Sequence, residues 1–384
     1  MSIVLEKVIK DSQNLYNMKL IAGEKGLKNI VQWVHVVEEY NMNSFLGGNE
    51  IILTTGIACD NGHSLLDFVK MLYKCDVSAI IVNIGPHIHE VTKDVIDYCN
   101  EKSVPIFTMP WKVRIEEVTR DFCRKIVNNE NIEKNIVSIF KDMIFEYEDY
   151  TKYSSVLERN GFRVLGNYTI IAIGSKNSNE NVAKDRNLKF HIEKIIHKVS
   201  DLVVVFAYKN YRIIILCDYL KDDIDKLIIN LKNNYLNSGN GEDYVIGVGS
   251  LKINLGDISK EFKKTIEVVK LGNKTDKNVI YYDEIGIYKI LLEAKESNVL
   301  NDFYKDILEP IEKYDKENNT SMIEFIKKYL ENNGSVQAVA EAMFVHRNTV
   351  NYQINKIKKI TGKDLGDLEV KLSFLLCTYI KNIL

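Results

Sequence analysis

The stretch that most constrains this chain lies near its end, residues 334–363, GSVQAVAEAMFVHRNTVNYQINKIKKITGK. It reads as two short helices joined by a tight turn. Ser335 is suited to cap the first helix, because its hydroxyl can accept from amides that the opening turn leaves unpaired. Val336, Val339, Ala340 and Met343 then fall on one face. The second helix opens near His346 or Arg347, and Val350, Ile354, Ile357 and Ile360 recur every three or four residues, the spacing of a buried stripe. Its other side carries Asn348, Thr349, Tyr352, Asn355, Lys356 and Lys359. From His346 to Lys363 there are five Lys or Arg and no Asp or Glu, in a chain whose net charge is −2.

Cations for phosphates and forked donors and acceptors for base edges are what a DNA major groove demands of a helix. In a helix-turn-helix the second helix enters that groove, led by its N-terminal residues. Arg347, Asn348, Thr349 and Tyr352 are therefore the leading candidates for contact with double-stranded DNA. Ser335, His346, Lys356 and Lys359 complete the set. The bland alternative is a solvated amphipathic helix in an all-α domain. Turn, stripe and charge agree with one another against it.

The run F-V-H-R-N-T-V-N-Y-Q-I-N-K-I, followed by K-K-I-T-G-K-D-L, resembles the C-terminal helix-turn-helix of the PucR/CdaR family of bacterial transcription regulators. V-Q-W-V-H-V-V-E-E and F-L-G-G-N-E-I-I-L-T-T-G resemble the family's N-terminal sensor domain, to about Cys123. The resemblance implies three parts: a sensor, a central GGDEF-like domain and a DNA-binding domain. Family members respond to intermediates of purine, sugar-acid, amino-acid or amine metabolism and are mainly activators, so an activator of a catabolic operon is expected.

At 384 residues, 46% hydrophobic, the chain can bury two to four domain cores. No signal-peptide pattern and no apolar run of about 20 residues appears, so a cytoplasmic protein with no membrane partner is expected. The six cysteines (Cys59, Cys75, Cys99, Cys123, Cys217 and Cys377) contain no CxxC pair and suggest reduced thiols, not a zinc knuckle or a disulfide framework.

In the N-terminal third, Met18–Ala22, Val31–Val37 and Ile51–Thr55 read as strands. A helix over His63–Cys75, a strand at Ala79–Ile84, a helix over Val91–Lys102 and a strand at Ile106–Met109 follow, the alternation of a parallel sheet. Ligands of such sheets collect beyond the carboxyl ends of the strands. There the sequence sets Glu38, then Thr54, Thr55 and Gly56, then Gly85 and His87, then Trp111. Together they make a candidate pocket for a small polar effector, unless Thr and Gly merely shape turns and His87 faces water. His87-Ile88-His89-Glu90, with His63 and His35, invites a metal reading, but no third ligand stands at a fixed spacing. No G-x-S-x-G elbow or Cys and His pair signals nucleophilic catalysis. No metal or cofactor is expected.

Arg114–Tyr153 is helical in pattern. One stripe is Ile115, Val118, Phe122 and Ile126; a second is Ile132, Ile136, Ile139 or Phe140, Met143 and Tyr147. Asn128-Asn129-Glu130-Asn131 should break or bend the helix between them. Such stripes seek a partner helix, and a homodimer suits proteins that read two half-sites. The alternative is that both pack on flanking domains of the same chain.

The central region reads as a strand at Tyr168–Gly174, a helix at Phe190–Val199, and a hairpin of Leu202–Ala207 and Tyr211–Cys217. A helix at Asp222–Asn233, a strand at Tyr244–Val248, a helix at Leu255–Leu271 and a strand at Val279–Tyr282 follow. This is the ferredoxin-like order of nucleotide cyclase domains, and I-G-V-G-S with the helix after it resembles the family's GGDEF-like domain. A diguanylate cyclase carries carboxylates at the hairpin and after the first strand to hold two cations. Here the hairpin is Ala-Tyr-Lys-Asn-Tyr and the first strand ends Ile-Gly-Ser-Lys-Asn. A non-catalytic module is therefore expected, the alternative being a nucleotide-binding or cyclase-type enzyme.

The expected fold is multidomain, α/β plus α. Residues 1–125 are a parallel α/β sensor, 126–160 a helical connector, 161–290 a degenerate GGDEF-like domain, 291–319 a helical linker and 320–384 the helix-turn-helix domain. In this last part Met322–Glu331 supplies Ile323, Ile326 and Leu330 to the core, and Val370–Leu384 closes it.

Overall fold

The computed structural model describes residues 3–40, 45–59, 64–176, 192, 195–196, 202–233, 244–295 and 297–384. It divides into two compact units. The first comprises Met1–Thr169, Ser178–Asp243 and Lys252–Ser259; the second comprises Ile170–Asn177, Tyr244–Leu251 and Lys260–Leu384.

The first unit opens with β1 (Ile3–Val4), α1 (Leu5–Ile9), α2 (Ser12–Leu15), β2 (Lys19–Ala22), β3 (Ile30–Val31), β4 (Trp33–Val36) and β5 (Glu50–Thr54). It continues through α3 (Leu65–Lys74), β6 (Ala79–Ile84), α4 (Lys93–Lys102) and β7 (Ile106–Pro110). The main sheet runs β2-β7-β6-β5-β4. β4, β5, β6 and β7 are mutually parallel, as expected, and β2 lies antiparallel on β7 at one edge. β1 and β3 form a separate antiparallel ribbon.

Alternation along the strands builds two cores, because successive side chains of a strand point to opposite faces. Ile51, Leu53, Ala79, Ile81, Phe107 and Met109 share one core with Leu5, Val8, Phe122 and Ile126. Ile52, Ile80, Val82 and Ile106 share the other with Phe68, Val69, Leu72, Val95 and Cys99. The sheet is thus covered on both faces, as parallel sheets require. Ser64 begins α3 with a capping box, its hydroxyl accepting from Asp67 N at 3.1 Å. His63 lies outside the described residues.

α5 (Ile115–Phe145) is one helix of 31 residues. It does not break at Asn128–Asn131: no Pro or Gly interrupts it, and Asn129 Nδ2 donates to Glu133 Oε1 one turn on at 2.7 Å. Val118, Phe122 and Ile126 are buried in the N-terminal core. Further along, Phe140 meets Phe162 and Tyr168 with centroids 5.7 and 6.0 Å apart, and Phe145 stacks on Tyr208 at 4.8 Å. Most of both stripes is therefore covered within the chain itself. Ile132 stays 48% exposed, and Tyr147 falls beyond the helix end, 65% exposed at φ +55°. α6 (Ser154–Arg159) follows.

β8 (Tyr168–Ser175) leads to the central region. The expected helix at 190–199 lies almost wholly outside the described residues. β9 (Val203–Tyr208) and β10 (Tyr211–Cys217) form an antiparallel hairpin with Tyr208 paired to Tyr211, followed by α7 (Lys221–Leu231).

In the second unit β11 (Tyr244–Val248) pairs antiparallel with β8 and parallel with β12 (Val279–Tyr281). Between them runs α8 (Ile258–Thr275), which packs so closely that a Cβ on Gly247 would fall 2.7 Å from Val269. α9 (Tyr288–Ala294) is tied to α8 by Lys264–Glu293 at 2.7 Å and by the Lys295–Glu267 pair. N-terminal and central regions are thus mixed α/β, and what remains is helical.

That remainder is α10 (Val299–Asn318), α11 (Met322–Glu331), α12 (Val336–Ala342), α13 (Arg347–Thr361) and α14 (Leu368–Lys381). They share one core centred on Ile307, Ile311, Phe325, Val339, Val350, Ile357 and Phe374. α11 buries Met322, Phe325, Ile326 and Tyr329, whereas Ile323 and Leu330 sit at its margin. The stripe is thus rotated from the expected one, because both sets satisfy a three-and-four spacing.

Candidate nucleic-acid interface and effector crevice

α12 and α13 are each capped by a side chain. Ser335 Oγ accepts from Ala338 N at 3.3 Å, and His346 Nδ1 accepts from Asn348 N at 3.2 Å. Between the helices Val345 N closes onto Ala340 O at 3.0 Å, and Phe344 takes a left-handed conformation at φ +55°. α13 ends at Gly362, whose φ of +72° lets its amide reach Lys358 O at 2.8 Å.

Val350 and Ile357 are fully buried, so the opposite side of α13 turns to solvent. Arg347, Asn348, Thr349 and Asn355 are exposed, and Tyr352 is 61% exposed. The cations differ in their surroundings. Lys356 lies over the rings of Tyr314 and Tyr352, and the hydrogen bond it donates to the Tyr314 hydroxyl holds its pKa above the usual lysine value. Lys358 is engaged by Asp364 at 2.6 Å, while Lys359 is exposed.

An open groove runs between α12 and the start of α13, walled by Gln337, Glu341, Phe344, Arg347, Asn348 and Asn351. Asn351 was not among the expected contacts. Its signal was available, since it stands one turn after Arg347 on the same face. Glu341, which accepts from Gln337 Nε2 at 3.2 Å, places an acid on one wall of the groove.

The strand-end residues of the N-terminal sheet fall into two groups. Glu38 Oε1 accepts from Thr55 N at 2.7 Å and Oε2 from Thr54 Oγ1 at 3.2 Å; Thr54 Oγ1 also accepts from Gly56 N at 3.0 Å. In the second group the Trp111 indole lies against Gly85, where a Cβ would fall 2.2 Å from the ring, and His87 meets Trp111 edge-on at 6.3 Å. Ile88 joins them: it presses on Gly56 (φ +89°), and its carbonyl accepts from Gly85 N at 2.9 Å. Thr55 Oγ1 is shielded from solvent and has no hydrogen-bond partner among the described residues.

No group of three or more His, Cys, Asp or Glu that could hold a metal ion occurs among the described residues. No described helix is long and apolar enough to cross a membrane. Burial raises the Cys99 and Cys377 thiols to about 12, which removes their thiolate character.

Residues 8–126 match the purine catabolism regulatory protein-like family, PucR, and residues 322–380 match the PucR C-terminal helix-turn-helix domain. The proline-responsive transcriptional activator PutR of Bacillus subtilis (strain 168) is 26% identical over 200 residues, 51% of this chain and 47% of PutR. The DNA-binding transcriptional activator AdeR of the same organism is 25% identical over 138 residues, 35% of this chain and 33% of AdeR. The chain thus spans less than half the length of either relative. The crystal structure of a regulator of polyketide synthase expression from Bifidobacterium adolescentis aligns at 15% identity over 66% of this chain and 94% of that one, with a TM-score of 0.33. Matched at both ends, in the regions where its motifs resemble the family, the chain carries the PucR family's N-terminal domain and its C-terminal helix-turn-helix domain.

Proposed function

We propose that the chain is a ligand-responsive, DNA-binding transcription regulator, an activator of a catabolic operon acting in the cytoplasm, and not an enzyme. One observation carries this reading: α13 buries Val350 and Ile357 while Arg347, Asn348, Thr349 and Tyr352 stand exposed together. A helix anchored on one side and rich in forked polar groups on the other suits a major groove. PutR and AdeR are both named as activators, and PutR as proline-responsive, which supports a small metabolite as the signal.

In this reading Glu38, Thr54, Thr55, Gly56, Gly85, His87 and Trp111 line the effector crevice. The parts are a sensor over 1–125, a connector over 126–160, a GGDEF-like module over 161–290, a linker over 291–319 and the DNA-binding domain over 320–384. The module is non-catalytic, since the hairpin turn between Tyr208 and Tyr211 is Lys209-Asn210 and offers no carboxylate to a metal. A homodimer reads two half-sites related by a two-fold axis. The effector acts by favouring one arrangement of the two DNA-binding domains over another.

The test is gel retardation of the promoter fragments flanking the gene at low ionic strength, with wild-type protein and an Arg347→Ala, Tyr352→Ala double variant. Retardation by the wild type and its loss in the variant is expected. Equal retardation by both would place the DNA on another surface. Incubation with GTP and magnesium tests the enzymatic alternative, and any cyclic dinucleotide formed would overturn the non-catalytic assignment.

A further inference from the structure

At the ends of β4 and β5 the crevice has already spent the backbone donors beside Glu38. Backbone amides after a parallel strand are what an anionic ligand commonly uses. Here Thr55 N is taken by Glu38 at 2.7 Å and Gly56 N by Thr54 Oγ1 at 3.0 Å, while the Thr54 hydroxyl proton goes to the other Glu38 oxygen at 3.2 Å. What remains at Glu38 is acceptor capacity, because a carboxylate offers about four lone-pair sites and two are in use. Among the described residues no Lys, Arg or His forms an ion pair with Glu38, and Arg114, the cation nearest Trp111 in sequence after Lys112, pairs with Glu116 at 3.8 Å. Thr55 Oγ1, on the residue whose amide donates to this carboxylate, has no hydrogen-bond partner among the described residues. A ligand bearing a negative charge would meet an uncompensated carboxylate. A ligand bearing a charged N–H group would meet its complement.

The remainder of the crevice is largely flat and apolar, Ile88 against Gly56 and the Trp111 indole against Gly85, with His87 edge-on to the indole. Trp111 is 48% exposed, so its ring still has surface to offer. Strands lie about 4.8 Å apart, so a ligand reaching from beyond β4 to the loop after β6 is on the order of 10 Å long.

We propose that this crevice selects an organic cation, with a protonated amine or amidinium head at Glu38 and Thr55 and an apolar or flat body against Ile88 and Trp111. The proposal rests on the reading above that the crevice receives the effector. It narrows the class of effector to amine-bearing metabolites and sets aside diacids and phosphates.

Trp33 and Trp111 are the only two tryptophans in the chain, so full-length protein carrying Trp33→Phe reports on Trp111 alone. It is titrated with phenethylamine, with agmatine, with neutral N-acetylphenethylamine and with the anion 3-phenylpropionate, reading Trp111 emission and melting temperature. Expected are saturable changes in both readouts with the amines and none with the neutral or anionic probes. Glu38→Gln keeps an acceptor for Thr55 N but loses the charge, and should raise the half-saturating concentration by about tenfold or more. Thr55→Val removes a hydroxyl that bonds to none of the described residues, so it should not lower the unliganded melting temperature while weakening the amines. A response to 3-phenylpropionate that both variants diminish overturns cation selection and leaves the crevice as the effector site. Silence from every probe, or an amine response that both variants leave untouched, overturns the site as well.

Discussion

Lys356 lies over the ring of Tyr314, its ammonium 4.9 Å from the centroid, and so ties the outer side of α13 to α10. Tyr352 flanks the same ammonium at 5.7 Å. Lys359 is exposed and forms no ion pair among the described residues. The two lysines, equivalent in the sequence, should therefore separate on substitution. Lys359→Ala is expected to weaken specific and non-specific DNA alike and to reduce the slope of log affinity against log salt by about one, with unchanged thermal stability. Lys356→Ala should weaken DNA binding and also lower the melting temperature. Salt titrations and thermal melts of the two variants check this, and identical behaviour would mean the Tyr314 contact has no consequence.

Arg347 and Asn348 open α13 beside the groove that also exposes Asn351, and Tyr352 stands one turn further along. If these side chains meet base edges, Arg347→Ala and Tyr352→Ala each cost about 1–3 kcal/mol of specific binding and relax sequence preference. Asn351→Ala should behave in the same way. Competition between operator and non-specific duplexes at fixed salt gives the measurement, and a uniform loss on both duplexes would reassign these residues to phosphate contacts.

Much of this arrangement was legible because it is local. Ile51 to Leu53 alternate between two cores, and Val350 and Ile357 repeat with the helix, so period alone assigns their faces. Ser335 sits where a cap is wanted and serves as one, and His346, read only as a DNA contact, caps the second helix. What period cannot supply is the partner. The stripes of α5 called for a covering surface, and the surface is the chain's own sheet core and aromatic residues, which are distant in sequence. Asn128 to Asn131 looked like a break, yet helix propensity is a weak preference that flanking packing overrides. The Glu38 contact with Thr54 and Thr55 joins loops 16 and 17 residues apart, and strand order alone brings them together.

Asp315, near the end of α10, caps the next helix. Its carboxylate accepts from Met322 N at 2.8 Å and Ile323 N at 3.0 Å, and from Thr320 Oγ1 at 2.6 Å. Orphan amides at a helix start are thereby satisfied, and the angle between α10 and α11 is fixed. Asp315→Ala is expected to destabilise the fold by about 1–2 kcal/mol. Denaturant unfolding followed by circular dichroism tests it. Asp315→Asn should recover part of the loss, since an amide oxygen still accepts.

Glu267 on α8 is half-buried, and burial alone would raise its pKa, but hydrogen bonds from Lys270 and Lys295 together outweigh burial and lower it. A carboxylate with a depressed folded pKa contributes stability that is complete above its unfolded value, about 4.3, and is lost as pH falls through the folded value. The tie between α8 and α9 should therefore hold at neutral pH and weaken only below that point. Melting temperature against pH should fall more steeply in this acid range for wild type than for Glu267→Gln. Parallel profiles would mean the Lys295 pair adds nothing to stability.

Phe344 occupies the turn between α12 and α13 at φ +55° and is 96% exposed. An L-residue in the left-handed region costs about 1–2 kcal/mol, and a bulky one gains nothing back when its ring meets only water. Glycine takes this conformation without strain but loses about 0.5–1 kcal/mol through the freedom of the unfolded chain. Phe344→Gly should thus raise stability, by up to about 1 kcal/mol, and Phe344→Asn by less, since asparagine tolerates the region only in part. Because the backbone turn is retained, the cap from His346 and the exposed face of α13 should survive in both variants. DNA affinity that stays at the wild-type level while the melting temperature rises is the expected pair of results. Lower affinity in the more stable variants would instead show that the Phe344 ring itself touches the duplex, from the wall of the groove it shares with Arg347 and Asn348.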